Sequence, residues 1–192
     1  MSARQFLRRS MRRRGSADPA VRLRPLTRDD PAVDTVFAGL SPESRRLRFH
    51  TPVARLSGAV RHALLDVDGR THAGVVAEVR TVLGSQPVGI ARLIGSEPGR
   101  AELALEVMDR WQNRGMGRRL LDALGELAGE LGYRELYGEV LHENQAVVRL
   151  LCRAFPGSRV SSSEDTVRVD CPMGWAGTPL THEDILANLR SR

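Results

Sequence analysis

Apolar and charged residues alternate along VRLRPL, beginning at Val21, as they do in a strand with one face buried. Thr27 to Asp30 then supply N-cap chemistry, and Pro31 suits the first turn of a helix running through DDPAVDTVFAGL. In LSPESRRLRFHTP, Ser41 is expected to cap a short helix that starts with Pro42 and Glu43. Its arginines interleave with Leu47 and Phe49 and give it one wet face. A second amphipathic stretch, Ser57 to Leu65, precedes the turn at Asp68 and Gly69. HAGVVAEVR, PVGIARLIG and RAELALEVM then read as three strands separated by Gly, Pro and Ser, and short connections favour an antiparallel meander.

Past Met108 the period changes from two to about 3.6, with Leu120, Leu121, Leu124, Leu127, Ala128 and Leu131 on one face of a helix expected to stop at Gly132. ELYGEV reads as a strand. The run from Asn144 to Phe155 predicts an amphipathic helix capped by Asn144 and stopped by Pro156 and Gly157, and VSSSEDTVRVDCPM predicts a closing hairpin. THEDILANL carries the pattern of a further capped helix from Thr181. The expected organisation is a leader over residues 1–19, one domain over residues 20–173 and a tail over residues 174–192.

The chain has 192 residues, 41% hydrophobic and 27% charged, which suits one globular domain. No apolar run approaches the roughly 18 residues of a membrane span. The net charge of +6 comes from arginine alone, and its placement matters more than its size. Residues 1–24 hold 8 Arg against Asp18 as their single acid, whereas the rest holds 21 Arg against 22 acids. The basicity therefore belongs to the leader, read as an unstructured arm rather than a nucleic-acid contact. No apolar stretch follows Arg12 to Arg14, so export is not expected. Cys152 and Cys171 lack CxxC spacing, and a reducing cytoplasm is the expected location. His50, His62, His72 and His182 show no metal-ligand spacing, so no metal is expected.

Candidate chemistry concentrates in AELALEVMDRWQNRGMGRRLL, Ala101 to Leu121, where a strand runs through a glycine-bearing turn into a helix. Gly115 and Gly117 permit close backbone approach. The N–H groups of Arg114 to Arg119 belong to a first helical turn, whose free donors and positive dipole end suit a pyrophosphate. The spacing is neither a Rossmann fingerprint nor a P-loop. On the strand, Leu103, Leu105 and Val107 share one face, and Glu102 and Glu106 the other. Both carboxylates are candidates for general base, and both could equally be solvated or bonded to arginines. His142 is a candidate proton relay with a structural role as its alternative.

Gln112, Asn113, Arg114, Gly115, Met116 and Gly117 together resemble the acyl-CoA pyrophosphate loop of the GNAT N-acyltransferases, Q/R-x-x-G-x-G/A, in its place after the fourth strand. RLRPLTRDD and LYGEVLHENQAVVRLL are similar to other segments of that family, and GLSPESRRLRF is similar to a segment of bacterial protein lysine acetyltransferases. The resemblance covers about residues 20–171 and implies an α/β (α+β) fold: a mixed, mostly antiparallel sheet flanked by helices and splayed between strands 4 and 5. It implies acetyl-CoA as co-substrate, with pantetheine along the backbone of Val107 and Met108, pyrophosphate at Arg114 to Arg119 (including Arg118), and Asn144 on the pantetheine arm. Asn144 serves equally well as a helix cap. Glu102 matches the family's strand-four general base, with Glu106 ranked after it.

Many family members carry a tyrosine seven residues after the asparagine as general acid, and here that place is Leu151. Cys152 beside it reads as packing rather than as a nucleophile. The function implied is transfer of an acetyl or short acyl group to a primary amine by direct attack. A protein lysine is the favoured acceptor, with a small amine or a non-catalytic acyl-CoA-binding module as alternatives. The short leader is expected to carry no cyclic-nucleotide-binding or ligase-like domain of the kind attached to some relatives. A homodimer is left open.

Overall fold

The computed structural model describes residues 21–82 and 84–173; the Arg-rich leader and THEDILANL lie outside the described residues. The chain runs β1 (Val21–Pro25), α1 (Ala32–Ala38), α2 (Pro42–Phe49), α3 (Gly58–Leu65), β2 (His72–Thr81), β3 (Gly84–Glu97) and β4 (Arg100–Val107). A 3-10 turn at Asp109–Trp111 leads into α4 (Met116–Glu130), β5 (Glu135–Leu141), α5 (Gln145–Ala154), β6 (Arg159–Ser162) and β7 (Thr166–Pro172). All seven strands form one sheet in the order β1-β2-β3-β4-β5-β7-β6. β2, β3 and β4 make the expected antiparallel meander, and β1 adds antiparallel to β2 at its edge. β5 runs parallel to β4 because α4 carries the chain back across the sheet, and β7 then pairs antiparallel with both β5 and β6. The result is the mixed, helix-flanked open sheet that the sequence implied.

The helix ends follow their local chemistry. Ser41 and Ser57 cap α2 and α3 by accepting the N–H groups of Ser44 and Val60. α4 gives way to Gly132 at φ 84°, a left-handed position that glycine occupies without steric cost. Its apolar stripe, Leu120, Leu121 and Leu124, is fully buried with Leu103, Leu136 and Leu151 in one core. A Cβ on Gly89 would stand 3.0 Å from Leu120, so α4 lies close against β3.

At the start of α1 the capping differs from expectation in detail. Pro31 occupies the cap position and has no side-chain donor or acceptor, so Asp30, one residue earlier, accepts the N–H groups of Ala32 (3.0 Å) and Thr27 (3.3 Å). Asp30 is 2% exposed and meets Arg24 of β1 in a forked contact. Arg24 also donates to Glu78 of β2 at 2.6 Å. Burial alone would raise the Asp30 pKa, but the Arg24 guanidinium and the donated backbone N–H groups outweigh it and hold the carboxyl below its ordinary value.

Asp30→Asn should therefore cost about 2 kcal/mol near neutral pH, since Arg24 keeps Glu78 but loses one of its two charged hydrogen-bond partners. A carboxyl whose folded pKa is depressed contributes its stability above the unfolded value and loses it as pH falls through the folded one. Denaturant titrations across pH should thus show wild type and variant converging in acid. A gap that stays constant down to pH 2 would contradict this account.

Candidate active site

β4 and β5 pair at three positions only, Arg100 with Glu135, Ala101 with Leu136 and Glu102 with Tyr137. Beyond Glu102 the strands part, and a cavity of about 670 Å³ opens between them, bordered by both strands, α2, α5 and the turn before α4. Register fixes which β4 groups face it. The Met108 N–H donates to Val88 O at 2.9 Å, and the β3 partner of Val107 is Gly89. Antiparallel pairs alternate between hydrogen-bonded and non-bonded, so Leu105 and Val107 turn their backbone groups away from β3 and toward the gap. Gln112 Nε2 donates to Val107 O at 3.1 Å and to Ser44 Oγ at 3.2 Å, tying the turn to β4 and α2. Of the two backbone positions expected to meet pantetheine, Val107 faces the cavity, while the Met108 N–H is already used by the sheet.

At the end of the gap the chain reverses through two left-handed residues, Asn113 at φ 57° and Gly115 at φ 75°. Gly115 is the N-cap of α4 and offers no side chain. The N–H groups of Met116, Gly117 and Arg118 therefore receive no side-chain cap at the positive end of a 15-residue helix. The Arg119 N–H, by contrast, bonds Gly115 O at 3.1 Å inside the helix. Gly117 serves packing as well, because a Cβ there would stand 2.8 Å from a Leu150 methyl of α5. Gln112, Asn113, Gly115, Gly117 and Arg118 border the cavity. Arg114 lies over the Trp111 ring at 5.3 Å, and Met116 is buried, leaving it a backbone contribution.

Glu102 and Glu106 share a face of β4 but not an environment. Glu102 is exposed on the cavity lining. Glu106 is 7% exposed and held by two arginines, Arg92 of β3 and Arg48 of α2, the latter at 2.7 Å. Burial would push the Glu106 pKa up; the charges of Arg92 and Arg48 and their hydrogen bonds override it and keep the carboxyl below its ordinary value. Arg92 is fully buried. The arginine-bonded alternative left open by the sequence thus describes Glu106 and not Glu102. Sequence reasoning missed both arginines. The signal for Arg92 is a lone cation inside the apolar run VGIARLIG, which demands a buried partner. For Arg48 it is the contact of α2 with the sheet, which no local pattern encodes.

His142 does not border the cavity: its Nε2 lies 2.9 Å from Ser163 O in the β6–β7 turn. Asn144 accepts the Val147 N–H at 3.4 Å as the α5 cap and also lines the cavity. Leu151 is fully buried on the cavity wall, so hydrocarbon stands where a phenol was looked for, and Cys152 packs beside it. Among the described residues no cluster of His, Cys, Asp and Glu is arranged to hold a metal ion.

The profile of the acetyltransferase (GNAT) family matches residues 42–155. A Pseudomonas aeruginosa protein described as an acetyltransferase is 31% identical over 142 residues, covering 72% of this chain and 76% of its own. Among solved structures, the GNAT domain of S. lividans PAT superposes with a TM-score of 0.69 at 28% identity, over 79% of this chain and 90% of that one. A variant of the cAMP-binding acyltransferase from Mycobacterium smegmatis superposes with a TM-score of 0.56 at 25% identity; 88% of this chain is covered but only 49% of that one, so this chain spans about half its length. Family profile, sequence relative and superposition agree with the divergence of β4 from β5 and the glycine turn at its end, and the chain belongs to the GNAT acetyltransferase family.

Proposed function

We propose that the protein transfers an acetyl group from acetyl-CoA to a primary amine, with a protein lysine as the favoured acceptor and Glu102 as the base. One observation carries this reading: a slot between diverging strands connects uncapped helix N–H groups at one end to an exposed carboxylate, Glu102, at the other. The uncapped N–H groups of Met116 to Arg118 hold the pyrophosphate. The pantetheine arm lies along Leu105 and Val107 as an added strand, with Asn144 across from it. The similarity of GLSPESRRLRF, which forms α2 over the slot, to protein lysine acetyltransferases supports the lysine. A small amine is the second reading.

An alkylammonium with a pKa near 10.4 must lose a proton before its nitrogen can attack. Glu102, directly or through one water, takes that proton; the neutral nitrogen bonds the thioester carbon and sheds a second proton to water, and the C–S bond breaks with its electron pair on sulfur. Leu151 offers no proton to the departing thiolate, which leaves as the anion and is protonated from water. Glu106 has a different task, because Arg48 and Arg92 already occupy its oxygens and hold its charge. It anchors α2, and with it the roof of the slot, to the sheet.

Glu102→Gln should lower kcat/KM roughly 10²- to 10⁴-fold while leaving CoA affinity nearly unchanged. Glu106→Gln should instead lower the melting temperature, since Arg92 would keep its burial and lose its counter-charge. Full activity of Glu102→Gln at neutral pH would remove it as the base. A second test concerns the turn: Gly117→Val should weaken CoA binding by about tenfold or more in a calorimetric titration. Combining it with Leu150→Ala clears the atom that a new Cβ would strike. If the double variant regains CoA affinity, Gly117 serves packing alone and the turn does not need it to seat the pyrophosphate.

A further inference from the structure

Charged side chains of both signs line the cavity, with Arg48 paired to Glu106 on the strand side. Glu102, Glu106 and Glu139 line it on the strand side, and Arg118, Arg149 and Arg153 line it where α4 and α5 meet. Arg118 is engaged: its Nε donates to Asp122 at 2.7 Å and its Nη1 to Arg153 O at 2.8 Å. That second bond pins the first turn of α4 to the last turn of α5, so the backbone cradle and Arg153 hold a fixed relation. Arg149 and Arg153 are exposed, and among the described residues neither side chain has an ion-pair partner. They stand four residues apart on α5, where side chains are neighbours and like charges repel. Two unpaired guanidinium groups side by side on a cavity wall, next to a backbone anion cradle, are suited to a further phosphate. Arginine grips phosphate through paired N–H groups in a fixed fork.

We propose that Arg149 and Arg153 form a side-chain site for the 3′-phosphate of coenzyme A, separate from the backbone cradle for the pyrophosphate. This rests on the acetyl-CoA reading above and assigns the third phosphate group, which the turn at Gly115 leaves unaccounted for. The site selects coenzyme A over carriers that share its pantetheine and pyrophosphate but lack the 3′-phosphate.

The test is a calorimetric titration of CoA and 3′-dephospho-CoA into wild type, Arg149→Ala, Arg153→Ala and the double variant at low ionic strength. Both residues are exposed, so the variants should fold normally, which a melting curve checks. Wild type should bind CoA about tenfold or more tightly than dephospho-CoA. Each single variant should shrink that ratio and the double variant bring it near one, with dephospho-CoA affinity within about twofold of wild type throughout. Equal wild-type affinities for the two ligands, or a double variant that keeps the preference, would overturn the proposal. So would a double variant that loses both ligands equally, because the arginines would then act on the pyrophosphate. A wild type that binds neither ligand would refute the acetyl-CoA reading itself.

Discussion

Backbone polar groups that leave a strand ladder must find other partners, and in this fold that requirement falls in the middle of the sheet. β4 is paired along β3 but joins β5 at only three positions, ending at Glu102. The backbone of Leu105 and Val107 beyond that point faces a cavity instead of a strand, apart from the bond that Gln112 makes to Val107 O. An interior strand thus acquires a free edge, which water or an extended ligand can complete. The parallel crossover through α4 adds the second condition: it starts a helix, and its uncapped N–H groups, where the free edge ends.

What keeps the slot roofed is charge. Glu106 receives Arg92 from within the sheet and Arg48 from α2, so one buried carboxylate joins two layers. Arg46 of the same helix reaches Glu143, in the turn before α5, at 2.7 Å. Asp109 accepts the Ser41 N–H at 3.2 Å, tying the start of α2 to the segment after β4. These contacts give α2 a fixed place over the cavity although none of its residues is fully buried. They also separate the two carboxylates of β4. A buried carboxylate held by two guanidinium groups is a fastener, whereas Glu102 on the same strand face stays exposed on the cavity lining.

Much of this was legible from pattern. Alternation located β1 to β4, the change of period at Met108 located α4, and the glycines located the uncapped turn at its start, because free donors and positive φ are local properties. Depth was not legible. Alternation assigns Glu102 and Glu106 to one face, but how deeply each lies depends on what α2 and β3 place above them, and those contacts span 58 and 14 residues of sequence. The same limit explains Met108, whose N–H is committed by register with Val88. It explains His142 too, whose ring is held by a carbonyl 21 residues away. Arg149 and Arg153 were visible as letters, yet only the packing of α5 beside the turn makes them part of a cavity wall.

The central claim is that the free edge of β4 and the uncapped turn of α4 together receive one extended ligand. Amide hydrogen exchange, resolved to single residues with and without saturating CoA, tests it most directly. The account predicts slowed exchange at Val107 and at Met116, Gly117 and Arg118, with β1 and β2 unchanged. Saturating CoA that leaves those four amides unprotected, or protects a different surface, would contradict it.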